Sequence, residues 1–409
     1  MRRRAWALGG AAALAAGGAT LWALQRQFLN TCARASDPGH QIDPEVQATL
    51  WNGLNPALVR DAHVHVVGIG SQALGPTPWV HPELRSPANP FLFTHFALYA
   101  DGACVLRHPE SANEVYFARL TELANEFPPG AKFMLYAMDG SYGPDGKLDV
   151  ERTRMLVPND YVREFAQRAP QRFEWVASIH PLRADALALL HQAARDGAKA
   201  LKWIPYFMDI DPADPRLNAF YDTLASLRMP LIVHTGWQHE LMSSGNQDWG
   251  NPLRLRRALE RGVRVVAAHC ATQGDFADTD VGRGNTVKPS FELFRRMMDE
   301  RAHSALLWGE ISGLVDTGRA PDILQELLTH PRWRGRLING SDYPLPGVRL
   351  AVSAQHWVSA GLIDARWLSL VEHIQQHNPL LFDLCLKRML RYQGARFGAE
   401  VFECARVFA

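Results

Sequence analysis

A chain of 409 residues with 43 basic and 42 acidic side chains is nearly neutral, so its charge indicates neither nucleic acid nor an anionic surface as a partner. A hydrophobic content of 47% and a charged content of 21% are ordinary for a soluble globular protein, which argues against a largely disordered chain. The five cysteines have no Cys-x-x-Cys spacing and therefore indicate neither a zinc ribbon nor a disulfide scaffold.

The first 35 residues differ in composition from the rest of the chain. Arginines at residues 2–4 precede an uncharged run rich in Ala, Gly and Leu at residues 5–24. About 20 apolar residues span a bilayer, and the basic cluster before them would stay cytoplasmic. The Ala-Arg-Ala sequence at 33–35 also has the form of a signal-peptide cleavage site. We predict that residues 1–35 are an export signal or a membrane anchor, so that the protein is periplasmic or attached to the inner membrane. A buried Ala-rich helix is the alternative.

Eight short apolar segments follow, separated by amphipathic helical patterns. Most are nearly continuous apolar runs, as expected for strands buried on both faces of a parallel sheet. Eight strands that alternate with helices predict a single-domain α/β protein over residues 45–409, a (β/α)₈ TIM barrel. The predicted strands are residues 61–67, 132–139, 173–180, 198–204, 230–236, 263–270, 305–312 and 336–342.

The connections between these strands also carry predictions. Helical patterns lie at 159–170, 185–197 and 251–262, and the last two end in Gly, which commonly stops a helix. A long loop insertion with a helical stretch follows the first strand at 68–131, where it would overhang the active-site face of a barrel. The C-terminal part, from residue 378, is predicted as a helical tail that packs outside the barrel.

Polar side chains occur at the carboxyl ends of several predicted strands, where TIM-barrel enzymes hold their catalytic residues. The first strand carries His63 and His65, whose alternate spacing directs both side chains to one face. His234 ends the fifth strand, His269 the sixth, and Asp342 the eighth. Three of these imidazoles together with the carboxylate would suit a borderline divalent ion such as Zn²⁺.

Each of these residues also has a structural interpretation. A lone histidine at a strand end is more often a hydrogen-bonded core residue than a ligand, and we interpret His180 in this way. Asp342 precedes a Tyr-Pro sequence and could be a turn residue. The ordered set across four strands favours a metal site over independent core residues.

The segments DAHVHV, PLIVHTG, VVAAHC and LINGSDYP resemble the metal motifs of the amidohydrolase superfamily. The resemblance is strongest to its amidohydrolase-related branch, which includes aminocarboxymuconate-semialdehyde decarboxylase-like enzymes, and it extends over roughly residues 58 to 385. It implies that Asp342 also takes a proton from water and that His269 orients water or substrate. The metal ligands that it implies are His63, His65, His234 and Asp342.

The fourth strand bears on the number of metal ions. Two-metal amidohydrolases place a carboxylated lysine or a carboxylate at its end, and this chain has Lys199 and Lys202 there. The pattern resembles the single-metal branch, so we predict one divalent ion, Zn²⁺ in the first place and Mn²⁺ or Fe²⁺ as alternatives. Lys202 could bind an anionic substrate group from inside the barrel or extend to solvent. Tyr206 and His239, after the fourth and fifth strands, are further predicted substrate contacts.

Two reactions fit these residues. The first is metal-dependent hydrolysis of an ester, lactone, amide or related carbonyl in a small molecule. The alternative is nonoxidative decarboxylation by a carbon–carbon lyase with the same ligands. A third interpretation, a non-catalytic membrane-tethered binding protein, would be indicated by missing ligands, and none is missing. Relatives in this branch are often dimers, so a homodimer is one expected assembly.

Overall fold

A computed structural model describes residues 44–68, 74–106, 109–238, 245–281 and 286–409. The predicted export segment, residues 1–35, lies outside these ranges, and its role stays a prediction. Within them, no helix is both long and apolar enough to cross a membrane.

All eight predicted barrel strands form, and each is shorter than the apolar run that predicted it. Four further short strands lie in the described parts of the connections. The strands are β1 (Arg60–His65), β2 (Trp79–Val80), β3 (Lys132–Tyr136), β4 (Met155–Leu156), β5 (Phe173–Val176), β6 (Leu201–Trp203), β7 (Leu231–His234), β8 (Val265–Ala268), β9 (Asp275–Ala277), β10 (Val287–Pro289), β11 (Leu307–Glu310) and β12 (Leu337–Ile338).

Helices alternate with the barrel strands, as the sequence predicts. The predicted helices at 159–170 and 185–197 are α4 and α5 below, whereas 251–262 gives only the short α8, because Pro252–Leu255 forms a 3₁₀ turn. The helices are α1 (Pro44–Trp51), α2 (Pro90–Gly102), α3 (Ala112–Asn125), α4 (Asn159–Gln167), α5 (Ala186–Arg195), α6 (Pro205–Met208), α7 (Asn218–Ser226), α8 (Arg256–Glu260), α9 (Ser290–Asp299), α10 (Pro321–Thr329), α11 (Ala354–Ser359), α12 (Leu368–His377), α13 (Pro379–Met389) and α14 (Ala399–Phe402).

The barrel strands form two parallel sheets rather than one closed ladder. One sheet has the order β1-β3-β5, and the other has the order β6-β7-β8-β11-β12. Single parallel bridges join them, from Ala177 to Leu201 and from Val64 to Tyr343. The order of a TIM barrel is therefore present, but regular pairing stops at both seams. At the seam between β12 and β1 the backbone departs from an extended strand, because Asp342 has a φ of 61°, which lies in the left-handed region.

The insertion after β1 is largely helical rather than a loop. It contains α2, α3 and the short strand β2, which pairs with β4 beyond the next barrel strand. Apolar side chains such as Phe96, Tyr116 and Leu120 are buried there. Burial of these side chains against the barrel stabilises helices that the sequence pattern only partly indicates.

The last residues of the chain pack against the barrel interior, which differs from the prediction for the C-terminal tail. Cys404, Val407 and Phe408 are buried in the same cluster as Ala62 and Ile232 of the barrel interior. The Cys404 thiol donates to the Arg60 carbonyl at the start of β1, so the segment closes the amino-terminal end of the strands. The prediction that the whole tail packs outside the barrel was wrong. Small residues on the strands leave interior space, and close packing requires that other side chains fill it.

Candidate active site

A cavity at the carboxyl ends of the barrel strands gathers most of the predicted site residues. It encloses about 890 Å³, including solvent at its mouth. The predicted residues that line it are His63, His65, Lys202, His234, His269 and Asp342.

Three predicted ligands approach one another closely. Asp342 Oδ1 lies 3.2 Å from His63 Nε2 and 3.1 Å from His65 Nε2. The two imidazole nitrogens are 3.2 Å apart. Ligands at about 2.0–2.1 Å from a tetrahedral ion are separated from each other by roughly 3.3 Å, so this spacing matches that of a common metal ion. His234, the fourth predicted ligand, lines the same cavity but lies outside this group of three.

His63 is oriented by a buried carboxylate on β11. Its Nδ1 lies 2.9 Å from Oε2 of Glu310, whose side chain is fully buried. Glu310 also accepts hydrogen bonds from the backbone N–H and the hydroxyl of Ser312. Because the carboxylate accepts, Nδ1 of His63 carries the proton and Nε2 keeps its lone pair toward Asp342.

A second pair of imidazoles is oriented by a carbonyl. His269 Nδ1 lies 3.1 Å from the Ser312 carbonyl oxygen, which can only accept, so this nitrogen carries the proton. His269 Nε2 then accepts from His234 Nδ1 at 3.1 Å. This leaves a lone pair on His234 Nε2, a buried atom without a hydrogen-bond partner among the described residues. A buried unsatisfied nitrogen of this kind is a candidate metal ligand.

Burial sets the charges of the site. It lowers the pKa of His63 to about 4, with the Lys202 ammonium acting in the same direction. Burial also holds the pKa values of His234 and His269 well below the usual range. All three rings are neutral at pH 7, the form that binds a metal. Burial opposes ionisation of Asp342, but a hydrogen bond from the His65 side chain helps to hold the carboxyl pKa well below its usual value.

The donor set therefore fits a divalent ion. It offers neutral imidazole nitrogens with oriented lone pairs and an ionised carboxylate, and Glu310 supplies the outer hydrogen bond that metal-ligating histidines usually have. These are the ligands that suit Zn²⁺, Mn²⁺ and Fe²⁺, and the donor set alone does not separate the three ions.

Lys202 lies inside the barrel and not in solvent. Its side chain is 2% exposed, and its Nζ is 3.4 Å from His63 Nε2 and 4.9 Å from the centre of the Tyr136 ring. Burial lowers the pKa of Lys202 to about 8, although the carboxylates of Glu310 and Asp342 oppose this shift. The solvent-exposed alternative is excluded, and a mainly charged ammonium faces the cavity at pH 7.

The two other predicted substrate contacts are Tyr206 and His239. Tyr206 is buried, but the neighbouring residues Ile204 and Phe207 line the cavity instead. Successive residues of a helix such as α6 project in different directions, so Phe207 can line the cavity while Tyr206 does not. His239 lies outside the described residues.

Several cavity residues were not predicted from the sequence. Arg319, which follows β11, is 7% exposed and donates to the Thr272 hydroxyl at 2.7 Å. Phe96 and Tyr99 reach the cavity from α2 of the insertion. No motif marks these side chains, although the position of the insertion after the first strand predicted that part of it would cover the active-site face.

The sequence profile of the amidohydrolase family matches residues 61–365, about three-quarters of the chain. The chain belongs to the amidohydrolase family. The family resemblance of the four motifs is thereby confirmed, and the segments that carry His63, His234, His269 and Asp342 all lie within the matched region. No curated protein sequence matches this amidohydrolase chain.

Solved structures similar to this amidohydrolase share little sequence with it. An uncharacterised TIM-barrel protein from Bordetella bronchiseptica is 17% identical, with a TM-score of 0.46, over 80% of this chain and 99% of that one. 5-Carboxyvanillate decarboxylase from Sphingomonas paucimobilis is 12% identical, with a TM-score of 0.47, over 86% and 98%. A probable 2-pyrone-4,6-dicarboxylic acid hydrolase from Acinetobacter baumannii is 16% identical, with a TM-score of 0.41, over 81% and 96%. The family assignment rests on the profile match alone.

Proposed function

We propose that this amidohydrolase is a hydrolase that depends on one divalent metal ion and acts on a carbonyl group of a small anionic molecule. The observation that carries the proposal is the convergence of His63 Nε2, His65 Nε2 and Asp342 Oδ1 within 3.2 Å of one another at one cavity. We propose these residues and His234 as the ligands and Zn²⁺ as the ion, with Mn²⁺ and Fe²⁺ as alternatives.

A bound divalent ion would polarise the carbonyl and lower the pKa of water at the site. The protein supplies the proton transfers. Asp342 is ionised at neutral pH and can accept a proton from water. His269 keeps His234 in one tautomer through the 3.1 Å contact between their rings, and it faces the cavity where substrate would bind. We propose Asp342 as the base and His269 as the residue that orients water or substrate.

The cavity supports an apolar substrate with a negative charge. Its walls include Phe96, Met138 and Phe207, which suit an aromatic or other flat apolar group. Two cationic side chains, Lys202 and Arg319, lie on the polar side. A carboxylate on the substrate would be favoured beside Lys202, which has no carboxylate within ion-pair distance among the described residues, because a buried cation without an anionic partner is costly. Arg319 is already paired with Asp316 at 3.7 Å.

The experiment combines metal analysis with a substrate panel. Protein purified without added metal should contain about one transition-metal ion per chain, and it should hydrolyse some members of a panel of aromatic carboxylates that carry ester, lactone or amide groups. Removal of the ion with a chelator should abolish the activity, and Zn²⁺ or Mn²⁺ should restore it. A chain that binds no divalent ion after incubation with Zn²⁺, Mn²⁺ or Fe²⁺ would rule out this function.

Decarboxylation is the second candidate, and the position of Lys202 favours it. Its Nζ lies 3.4 Å from His63 Nε2, so a substrate carboxylate bound to Lys202 would sit beside the proposed metal ligands. Hydroxybenzoates are added to the panel as the test: release of CO₂ from them, without hydrolysis of any ester, lactone or amide, would replace the first candidate by this one. Hydrolysis without release of CO₂ would exclude it.

A further inference from the structure

Lys387 is a fully buried cation that the mechanism above does not use. It lies on α13, beyond residue 365, where the family match ends. Its side chain is 1% exposed, and its ammonium donates to Asp383 Oδ2 at 2.7 Å and to the carbonyl of Gly340 at 2.5 Å. Burial of an ammonium is costly unless it is paired and hydrogen-bonded, so these two contacts define its position.

The Gly340 carbonyl belongs to the backbone that leads from β12 to Asp342. Gly340 packs directly against the site, because a Cβ placed on it would lie 2.3 Å from Glu310 Oε1 and 2.6 Å from His63 Cβ. A shift of this segment would therefore move His63, its partner Glu310, or both.

The two residues after Gly340, Ser341 and Asp342, are held by hydrogen bonds to β1. The Ser341 N–H donates to Asp61 Oδ1 at 2.8 Å, and the Asp342 N–H donates to the His63 carbonyl at 2.9 Å. Asp342 itself has a φ of 61°, a conformation that a non-glycine residue keeps only when its surroundings enforce it. Of these restraints, the bond from Lys387 is the one that comes from outside the barrel strands.

We propose that Lys387 is a positioning residue of the active site, which fixes the backbone at Gly340 and thereby holds Asp342 and His63 in the ligand geometry. The inference rests on the proposed metal-dependent function. It assigns a role in the site to the C-terminal helix α13, which the motifs do not include.

The charges around Lys387 agree with this role. Burial alone would raise the pKa of the Asp383 carboxyl, and the Lys387 ammonium at 2.7 Å opposes this shift. The ammonium is thus paired with a carboxylate of its own helix and uses a further hydrogen bond on the Gly340 carbonyl.

The test separates positioning from stability. The double variant D383L/K387M replaces the whole buried ion pair by apolar side chains, a change that often leaves stability unchanged or raises it and does not alter net charge. The control is Leu386→Ala, which removes a fully buried side chain from the same helix and leaves both contacts of Lys387 in place. Thermal unfolding, Zn²⁺ affinity and the visible spectrum of the Co²⁺-substituted protein are measured for each.

We expect the double variant to bind Zn²⁺ about 10–100-fold more weakly, with a changed Co²⁺ spectrum, since changes in groups that orient metal ligands have effects of this size. Leu386→Ala should unfold at a lower temperature but bind Zn²⁺ within about twofold of the wild type. Wild-type affinity and spectrum in the folded double variant would overturn the proposal, and so would an equal loss of affinity in the control.

Single variants serve if the double variant does not fold. Lys387→Arg keeps a cation and a donor near Gly340, whereas Lys387→Met keeps neither. Zn²⁺ affinity should fall in the order wild type, Lys387→Arg, Lys387→Met, and equal affinities among the folded proteins would overturn the proposal.

The outcomes for the two proposals are distinguishable. A wild-type chain that binds no divalent ion would overturn the proposed function together with this inference, whereas unchanged binding in the variants would overturn this inference alone.

Discussion

In His63 and His269 an acceptor at Nδ1 holds the proton there and leaves a lone pair on Nε2. His63 donates to Glu310, and His269 donates to the Ser312 carbonyl. Both acceptors lie at the end of β11 or directly after it, so the seventh barrel strand orients the proposed ligand His63 and also His269, which contacts the proposed ligand His234. This arrangement fixes tautomers as well as positions, and tautomer decides which nitrogen can bind a metal.

Replacement of His63 tests the central ligand. His63→Ala should reduce metal affinity by more than the roughly 100-fold that changes outside the ligand shell produce, because a donor nitrogen is lost. The chain should remain folded, since Glu310 keeps its two hydrogen bonds from Ser312. Metal content after dialysis and circular dichroism are the measurements, and His191→Ala, at an exposed histidine of α5, is the control. Full metal content in His63→Ala would remove His63 from the site.

Asp342 is proposed both as a ligand and as a base, and one substitution separates these roles. Asp342→Asn should retain much of the bound ion but lose most of its turnover, because an amide oxygen can ligate weakly but cannot accept a proton at neutral pH. Metal content and kcat are measured on the same preparation. Wild-type turnover in this variant would assign the base to another residue.

His180 is the core histidine that the sequence interpretation described, and it predicts a pH dependence of stability. Its Nε2 donates to the Met208 carbonyl at 2.8 Å, and its Nδ1 accepts from the Leu182 N–H at 3.2 Å. Burial lowers its pKa from 6.5 to about 4. The unfolded chain therefore binds a proton that the folded chain excludes between these pH values, so stability falls as pH decreases from about 6.5 to 4.

The variant His180→Gln removes this titration and can still donate to the Met208 carbonyl. Across that pH range the free energy of unfolding of the wild type should decrease by about 1.4 kcal/mol per pH unit more than that of the variant. Urea unfolding at several pH values gives the two slopes. Parallel slopes would mean that His180 is already protonated, or readily protonated, in the folded chain.

At the scale of elements, the two ends of the barrel are closed by segments from outside it. α2 of the insertion contributes Phe96 and Tyr99 to the cavity at the carboxyl ends of the strands. The C-terminal residues Val407 and Phe408 close the opposite end. The first closure shapes substrate binding, whereas the second contributes to stability.

Phe408 tests the second closure. Phe408→Ala should lower the free energy of unfolding by about 3 kcal/mol, because the ring is 6% exposed and its loss leaves a cavity at the base of the barrel. Metal affinity should not change. The matched control is Phe91→Ala, whose ring is 55% exposed and which should cost less than about 1 kcal/mol. Equal losses in urea unfolding would contradict the assigned burial of the C-terminus.

At the scale of the whole molecule, we propose that residues 1–35 direct the protein out of the cytoplasm. The full chain should appear in the periplasmic or inner-membrane fraction of a Gram-negative cell, because three arginines precede a run of about 20 uncharged residues, the length that spans a bilayer. A variant without residues 1–35 should remain cytoplasmic. Detection of both forms in the cytoplasm would contradict the export proposal and favour the alternative that residues 1–35 include a buried Ala-rich helix.

The sequence determined the eight strands, their order and the residues at their ends. Buried parallel strands need continuous apolar runs, and these runs are local features of the chain. The alternate spacing of His63 and His65 likewise needs no tertiary information. For the same reason the four ordered motifs were sufficient to predict the family, which the profile match confirmed.

Only the tertiary structure decided what surrounds these residues. The orientation of Lys202, the bond from Lys387 to Gly340 and the contact of Arg319 with Thr272 join side chains that are far apart in the chain. No local pattern specifies such contacts. The C-terminal segment shows the same limit, because its place inside the barrel depends on the space left by small residues on distant strands. Local periodicity identifies elements and strand ends, whereas packing between distant segments decides burial, tautomers and charge.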